Sequence, residues 1–295
     1  MWRKSKADLA FDTINIIIML LSALIFIYPI YFILIASFSD PNLVNTGKVL
    51  FVPKGITFIG YKKILANDSI WLGYRNTIIY TTLGTFINVF LTITSGYVLS
   101  RKDLIGRNVI LFFFTFTMFF SGGMIPTYML VKSLGITNTV WAMVLPNAMS
   151  VWNMMIAKTF FSTSIPDELL EAAFLDGCGN LRFFSLIVLP LSKAIIAVMV
   201  LFYAVAHWNS FFNALIYLES QTKYPLQLVL RNILLVNQMN DASMLDDISA
   251  VIERQKLAEL LKYGIIIVSS VPILILYPFI QKYFVRGVMI GSIKG

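Results

Sequence analysis

The sequence predicts an all-α, polytopic membrane protein with six transmembrane helices. Two observations carry this. Hydrophobic residues fill 58% of the 295 positions and charged residues 13%, about half the charge of an ordinary soluble domain. Apolar runs of the length needed to cross a bilayer, about 20 residues, then recur six times along the chain. A large soluble enzyme with a buried core does not fit so few charges. The net charge of +8 needs no nucleic-acid partner, because basic loop residues facing anionic lipid headgroups account for it.

The first span runs from about Ile14 to Ala36. It is too long for the apolar region of a signal peptide and no A-x-A site follows, so it reads as a retained helix. The second covers about Thr77 to Leu99, the third Val109 to Val131, and the fourth Thr139 to Ala157. The fifth covers about Leu191 to Tyr217 and the sixth Tyr263 to Ile280. Pro29, Pro126, Pro146 and Pro272 lie in or near these runs and read as bends within a bundle.

Lys and Arg near span ends set the orientation. Arg3, Lys4 and Lys6 precede the first span, and Arg101, Lys102 and Arg107 follow the second. Both groups read as cytoplasmic. With six spans the 158–190 loop and both termini are then cytoplasmic, and 38–76, 132–138 and 218–262 face outward. The outer loops carry nearly as many basic residues, but long translocated loops count little in this rule. The whole chain, 1–295, reads as one transmembrane domain with core helices over about 77–284.

The 158–190 loop is a polar island between apolar segments. Ser164 can cap a helix whose first turn holds Pro166 and Asp167. Asp167, Glu168 and Glu171 then lie near its positive end. Leu169, Leu170, Ala173 and Phe174 recur at helical spacing. Gly177 suits the left-handed position after the helix, and Asn180 can cap a second short helix leading to Leu189-Pro190. The residues alone are equally compatible with an amphipathic interfacial helix.

Several chemistries find no support. No G-x-x-x-x-G-K-[ST] run is present, so the chain has no phosphate-cradling loop. One Cys, Cys178, and one His, His207, offer neither an intrachain disulfide nor a Cys/His metal cluster. No local motif makes His207 catalytic. Polar side chains within spans usually face protein or water. Asn88, Ser95, Asn153, His207, Asn209 and Asn213 are therefore candidate path residues, and Trp152 and Trp208 could stack on sugar rings. Helix-to-helix hydrogen bonding is the competing reading for each. A secondary transporter acting alone would call for inverted repeats or paired broken helices, which the sequence does not display.

Glu171-Ala172-Ala173, then Gly177, then Ile187-Val188-Leu189-Pro190 resembles the EAA loop of importer-type ABC transporter permeases at every fixed position. The resemblance implies that this loop forms a coupling helix seated in a cleft of an ATPase subunit. Glu171 would make the polar contact, Ala172 and Ala173 would allow close packing, and Asp176, Gly177 and Pro190 would complete the loop. The pattern elsewhere is similar to the carbohydrate-uptake permeases related to the maltose permease, with spacing nearest to those of the LplC/YtcP kind. Arg75-Asn76-Thr77, Met124-Ile125-Pro126 with Leu134-Gly135, Trp208-Asn209-Ser210-Phe211 with Ala214-Leu215, and the tail from Gln281 carry it. Ala194 departs from the pattern where Pro is usual. The resemblance implies a multi-pass permease of a bacterial cell membrane, itself non-catalytic. Its partners would be a second homologous permease, two ATPase subunits that bind ATP and Mg, and an extracytoplasmic solute-binding protein docking on the outer loops. The solute would be an oligosaccharide, with a non-sugar solute as the alternative. Those outer loops could equally be a lid packed on the partner permease.

Overall fold

A computed structural model describes residues 5–240, 256, 258–275 and 278. Among them all regular structure is helical. The helices are α1 (Lys6–Ser37), α2 (Pro41–Asn45), α3 (Ile59–Leu65), α4 (Asp68–Ser100), α5 (Arg107–Phe119), α6 (Met124–Ser133) and α7 (Val140–Val144). Then come α8 (Val151–Ser164), α9 (Asp167–Leu175), α10 (Asn180–Leu191), α11 (Lys193–Trp208), α12 (Phe212–Tyr217), α13 (Leu226–Asn240) and α14 (Ala258–Ile275). The tail from Gln281 and most of the helix-like piece expected near Asp247–Leu261 lie outside the described residues. The described residues fall into two compact units, one within 1–68 and 230–271, the other within 69–229 and 272–295.

In the first unit α1 starts from a capping box. The Ser5 hydroxyl accepts from the backbone of Ala7, and the Asp8 carboxylate accepts from the backbone of Ser5, so two orphan donors are satisfied. The helix runs unbroken through Pro29. Its apolar side chains are exposed along most of its length, Phe26 to 75%, as befits a helix that is apolar all round. Only its last turns are packed, with Ile35 and Ala36 joining Val44 and Val49. Gly60 and Gly264 let α3 and α14 approach closely, since a Cβ at Gly264 would stand 2.7 Å from Ile64. Pro272 does not interrupt α14.

The second unit departs from unbroken spans in three places. α4 is continuous, begins at Asp68 rather than Thr77, and is about 50 Å long. The third span is broken into α5 and α6, which diverge by 114°. Gly123 sits at the break with φ +84, a conformation open to glycine. The break is thus made by Gly122-Gly123 and not by Pro126, which lies inside α6. The fourth span is divided between α7 and α8 around Pro146, and α8 continues to Ser164, past the expected end at Ala157. The fifth is divided twice, at Ser192 with a bend of 79° and again at 209–211. Among the described residues three helices are long and apolar enough to cross a membrane, or up to five if each bent pair is one span.

Pro190 explains a further irregularity. Residues Phe184–Val188 of α10 form a π-helical turn. Pro190 lacks an N–H, and its ring presses on the carbonyl of residue 186 in an ordinary helix. A widened turn immediately before it relieves that clash.

Candidate functional site

The polar island folds as helix, glycine turn, helix. Asp167 and Glu168 open α9, where the positive helix end favours acids. The cap differs from expectation. Ser164 ends α8 and the extended Pro166 is the N-cap of α9, making no side-chain cap bond. Likewise Gly179 caps α10, and Asn180 is its first residue. At the far end Gly177 has φ +74. The Gly177 N–H donates to the Phe174 carbonyl at 3.0 Å and the Cys178 N–H to the Ala173 carbonyl at 2.8 Å. These two bonds form a Schellman motif, so α9 is closed by its own backbone.

α9 has two distinct sides. Ala173 is buried in a core with Tyr97, Ala157, Phe161, Phe183 and Val188, and Leu170 packs against it. Glu171, Ala172, Asp176 and Gly177 are exposed, and Leu175 is 90% exposed. The alanine pair is therefore split: Ala173 packs inward and Ala172 faces out.

The turn after α4 grips this element. Arg101 donates to Asp103 through two nitrogens, to the Tyr97 hydroxyl at 3.3 Å and to Asn180 Oδ1 at 3.0 Å. Its guanidinium also lies 5.9 Å from the centre of the Phe174 ring. Lys102 pairs with Asp167 at 2.7 Å, an exposed pair that adds little by itself. Hydrogen bonding to Arg101 holds the Asp103 carboxyl below its usual range, and hydrogen bonding to Asp167 raises Lys102. The Asp103 contribution is present above its unfolded value near 4 and fades only as pH falls through the lowered one. The Arg101–Asp103 pair thus keeps its charges through neutral pH.

A second feature lies among α4, α8, α11 and α12. A cavity of about 480 Å³ is lined by Asn88, Asn147, Asn153, His207, Ser210 and Asn213, together with methionines, Phe202, Tyr203 and Ala206. No charged side chain lines it. His207 Nε2 stands 2.9 Å from Asn88 Oδ1, and Asn88 Nδ2 donates to the Asn147 carbonyl at 2.6 Å. That second bond fixes the Asn88 amide, so Oδ1 accepts and His207 Nε2 donates. Tyr203 adds a buried link, its hydroxyl 2.6 Å from Thr92 and accepting from the backbone of Ser150 at 3.1 Å.

Four candidate path residues therefore converge: Asn88, Asn153, His207 and Asn213. The others do not line this cavity. Trp152 is 64% exposed. Trp208 is buried beside Tyr74, with ring centres 6.2 Å apart. Asn209 ends α11 and turns its amide back onto the Val205 carbonyl at 3.0 Å. Ser95 donates to the Leu91 carbonyl of its own helix. Gly84 was missed from sequence: a Cβ there would meet His207 Nε2 at 2.4 Å. A glycine deep in an apolar span was its available signal. Arg101 and Lys102 were read only as orientation markers. The Asn76-Thr77 pair proves to be a peg. Asn76 donates to the carbonyls of Thr222 and Tyr224, and the Thr77 hydroxyl accepts from the backbone of Leu226.

No family profile matches the chain. It is 40% identical over 287 residues to the polygalacturonan/rhamnogalacturonan transport system permease protein YtcP of Bacillus subtilis, covering 97% of this chain and 98% of that one. It is 39% identical to protein LplC of the same organism, over 99% and 97% of the two chains. Among solved structures it resembles a bacterial ABC transporter involved in the import of the acidic polysaccharide alginate. There the TM-score is 0.82 at 30% identity, with 96% of this chain and 100% of that chain covered.

Proposed function

The chain belongs to the permeases of ABC sugar-transport systems, multi-pass membrane proteins that are not themselves catalytic, and on that premise we propose that it is one transmembrane half of an ATP-driven oligosaccharide importer. It pairs with a second homologous permease in a bacterial plasma membrane. Two ATPase subunits bind ATP and Mg and hydrolyse the nucleotide, and an extracytoplasmic solute-binding protein delivers the sugar. The six-crossing topology with cytoplasmic termini and a single transmembrane domain belongs to the same reading.

The observation that carries it is α9. A helix closed by its own backbone, buried on the Ala173 side and bare at Glu171, Ala172, Leu175 and Asp176, suits a rigid peg for a socket on another protein. Rigid-body movement of such a peg is a recognised way to pass a two-state change between subunits. The uncharged cavity supports the sugar assignment, since amides, a hydroxyl and an imidazole suit hydroxyl-rich chains. The test is purification in mild detergent. The chain is expected to bring with it an ATPase and a second permease, and recovery of the chain alone would remove the reading.

The cavity yields a contrast within one experiment. Asn153→Leu and Asn213→Leu are each expected to lower uptake about ten-fold, the effect of losing roughly 1.4 kcal/mol of polar contact. Asn209→Ala, off the cavity, is expected to stay within about two-fold of the parent. Equal loss in all three would assign the asparagines to packing.

A further inference from the structure

Arg101 joins three parts of the second unit that are separated in sequence. It leaves the end of α4, is held in the 101–107 turn by Asp103, and reaches past Tyr97 to Asn180 at the start of α10 and the Phe174 ring on α9. Its side chain is 14% exposed although it carries a permanent charge. A guanidinium offers five donors in a fixed plane, and here that plane serves a carboxylate, a phenol and an amide while one face lies toward a ring. α8 and α11 line the cavity and are joined to the α9–α10 element along the chain. α4 lines the cavity too, through Asn88, but has no such peptide link. Asn88 lies thirteen residues before Arg101, roughly 20 Å along one helix. Apolar packing connects α4 to α8, where a Cβ on Gly96 would come within 2.9 Å of Ala157. Such packing is not directional; hydrogen bonds of Asn88 with His207 and of Thr92 with Tyr203 tie the middle of α4 to α11, while the Arg101 bonds fix where its end stands against Phe174 and Asn180.

Building on the function proposed above, we infer that Arg101 is a positioning residue that makes α4 follow α9, so that three walls of the cavity move as one body when the ATPase side moves. Lys102 and Asp167 form an outer and weaker strand of the same tie.

The test uses the complete transporter with its binding protein in liposomes, reading solute imported per ATP hydrolysed. Arg101→Ala is expected to lower that ratio at least five-fold while the ATPase subunits still copurify and hydrolysis continues. Arg101→Lys is expected to behave like Arg101→Ala, because an ammonium cannot serve Asp103, Asn180 and the Phe174 face together. In an Arg101→Ala, Cys178→Ser background, Lys102→Cys with Asp167→Cys joined by a short bismaleimide is expected to restore most of the ratio. An unchanged ratio in either Arg101 variant overturns the inference. So does loss of the ATPase subunits from both variants, or a cross-link that restores nothing. The function reading fails separately, and earlier, if the unmodified complex shows no ATP-dependent uptake.

Discussion

Gly177→Pro is expected to accumulate in the membrane at near-normal levels and, in the transporter proposed above, to leave the ATPase subunits hydrolysing ATP without import of solute. Gly177 sits at φ +74, and proline is confined near φ −65. Proline would also remove the N–H that bonds the Phe174 carbonyl and displace the neighbouring bond from Cys178 to Ala173. Both closing bonds of α9 would be lost, for about 3 kcal/mol of local stability. No atom lies within 4 Å of a Cβ built at Gly177, so the effect is one of backbone conformation and not of collision. A graded series checks this. Gly177→Ala is expected to cost about 1–2 kcal/mol and give partial coupling, and Gly177→Asn less, since Asn tolerates the left-handed region. Wild-type uptake with solute-stimulated hydrolysis in Gly177→Pro would sink the coupling role of α9.

Gly84→Ala is expected to be the most damaging single methyl in the second unit. The new Cβ would stand 2.4 Å from His207 Nε2 and 2.5 Å from Cε1, inside any permitted contact. Gly84 belongs to the continuous α4, so the ring must leave. Overpacking costs about 1–3 kcal/mol. Asn88, 1% exposed, would also lose the partner of its Oδ1, and an unsatisfied buried acceptor costs a further ~1–3 kcal/mol. The variant should melt well below the parent in detergent and import at least ten-fold less. Combining it with His207→Ala empties the contested space. The pair is expected to regain about half of the lost melting temperature, the overpacking share, without regaining uptake, since Asn88 Oδ1 stays unpartnered. A single variant that melts within about a degree of the parent would show that the contact relaxes freely, and the His207–Asn88 pair would lose its structural standing.

Apolar run length placed α1 and α4 and marked the other apolar regions, because a bilayer demands length and little else. It did not reveal where spans break. Gly122-Gly123, Ser192 and the stretch around Pro146 divide helices through backbone conformation, and hydropathy is blind to φ. The helix–turn–helix of the island was legible from Gly177 and the spacing of Leu170, Ala173 and Phe174. Its caps were misassigned, because Ser164 and Asn180 are good capping residues whose places are taken by Pro166 and Gly179. Polar residues within spans gave a mixed set. Asn88, Asn153, His207 and Asn213 share a cavity, while Asn209 caps a helix and Trp208 packs on Tyr74. His207 and Trp208 are separated by one helical step of about 100°, and Asn209 stands at the break that ends α11. The parts played by Gly84 and Arg101 depend on residues more than 70 positions away, and no local pattern could announce them.

The widened turn at Phe184–Val188 has a consequence for how the motif should be counted. Each residue of an ordinary helix advances the next by about 100° of rotation, and a π turn takes up one residue more than an α turn. The interval from Gly177 to Pro190 is therefore an angular setting as much as a length. Removing one residue inside the wide turn would leave a regular helix with nearly the same setting, whereas removing one from a regular stretch of α10 would swing everything beyond it by roughly a quarter of a revolution relative to α9.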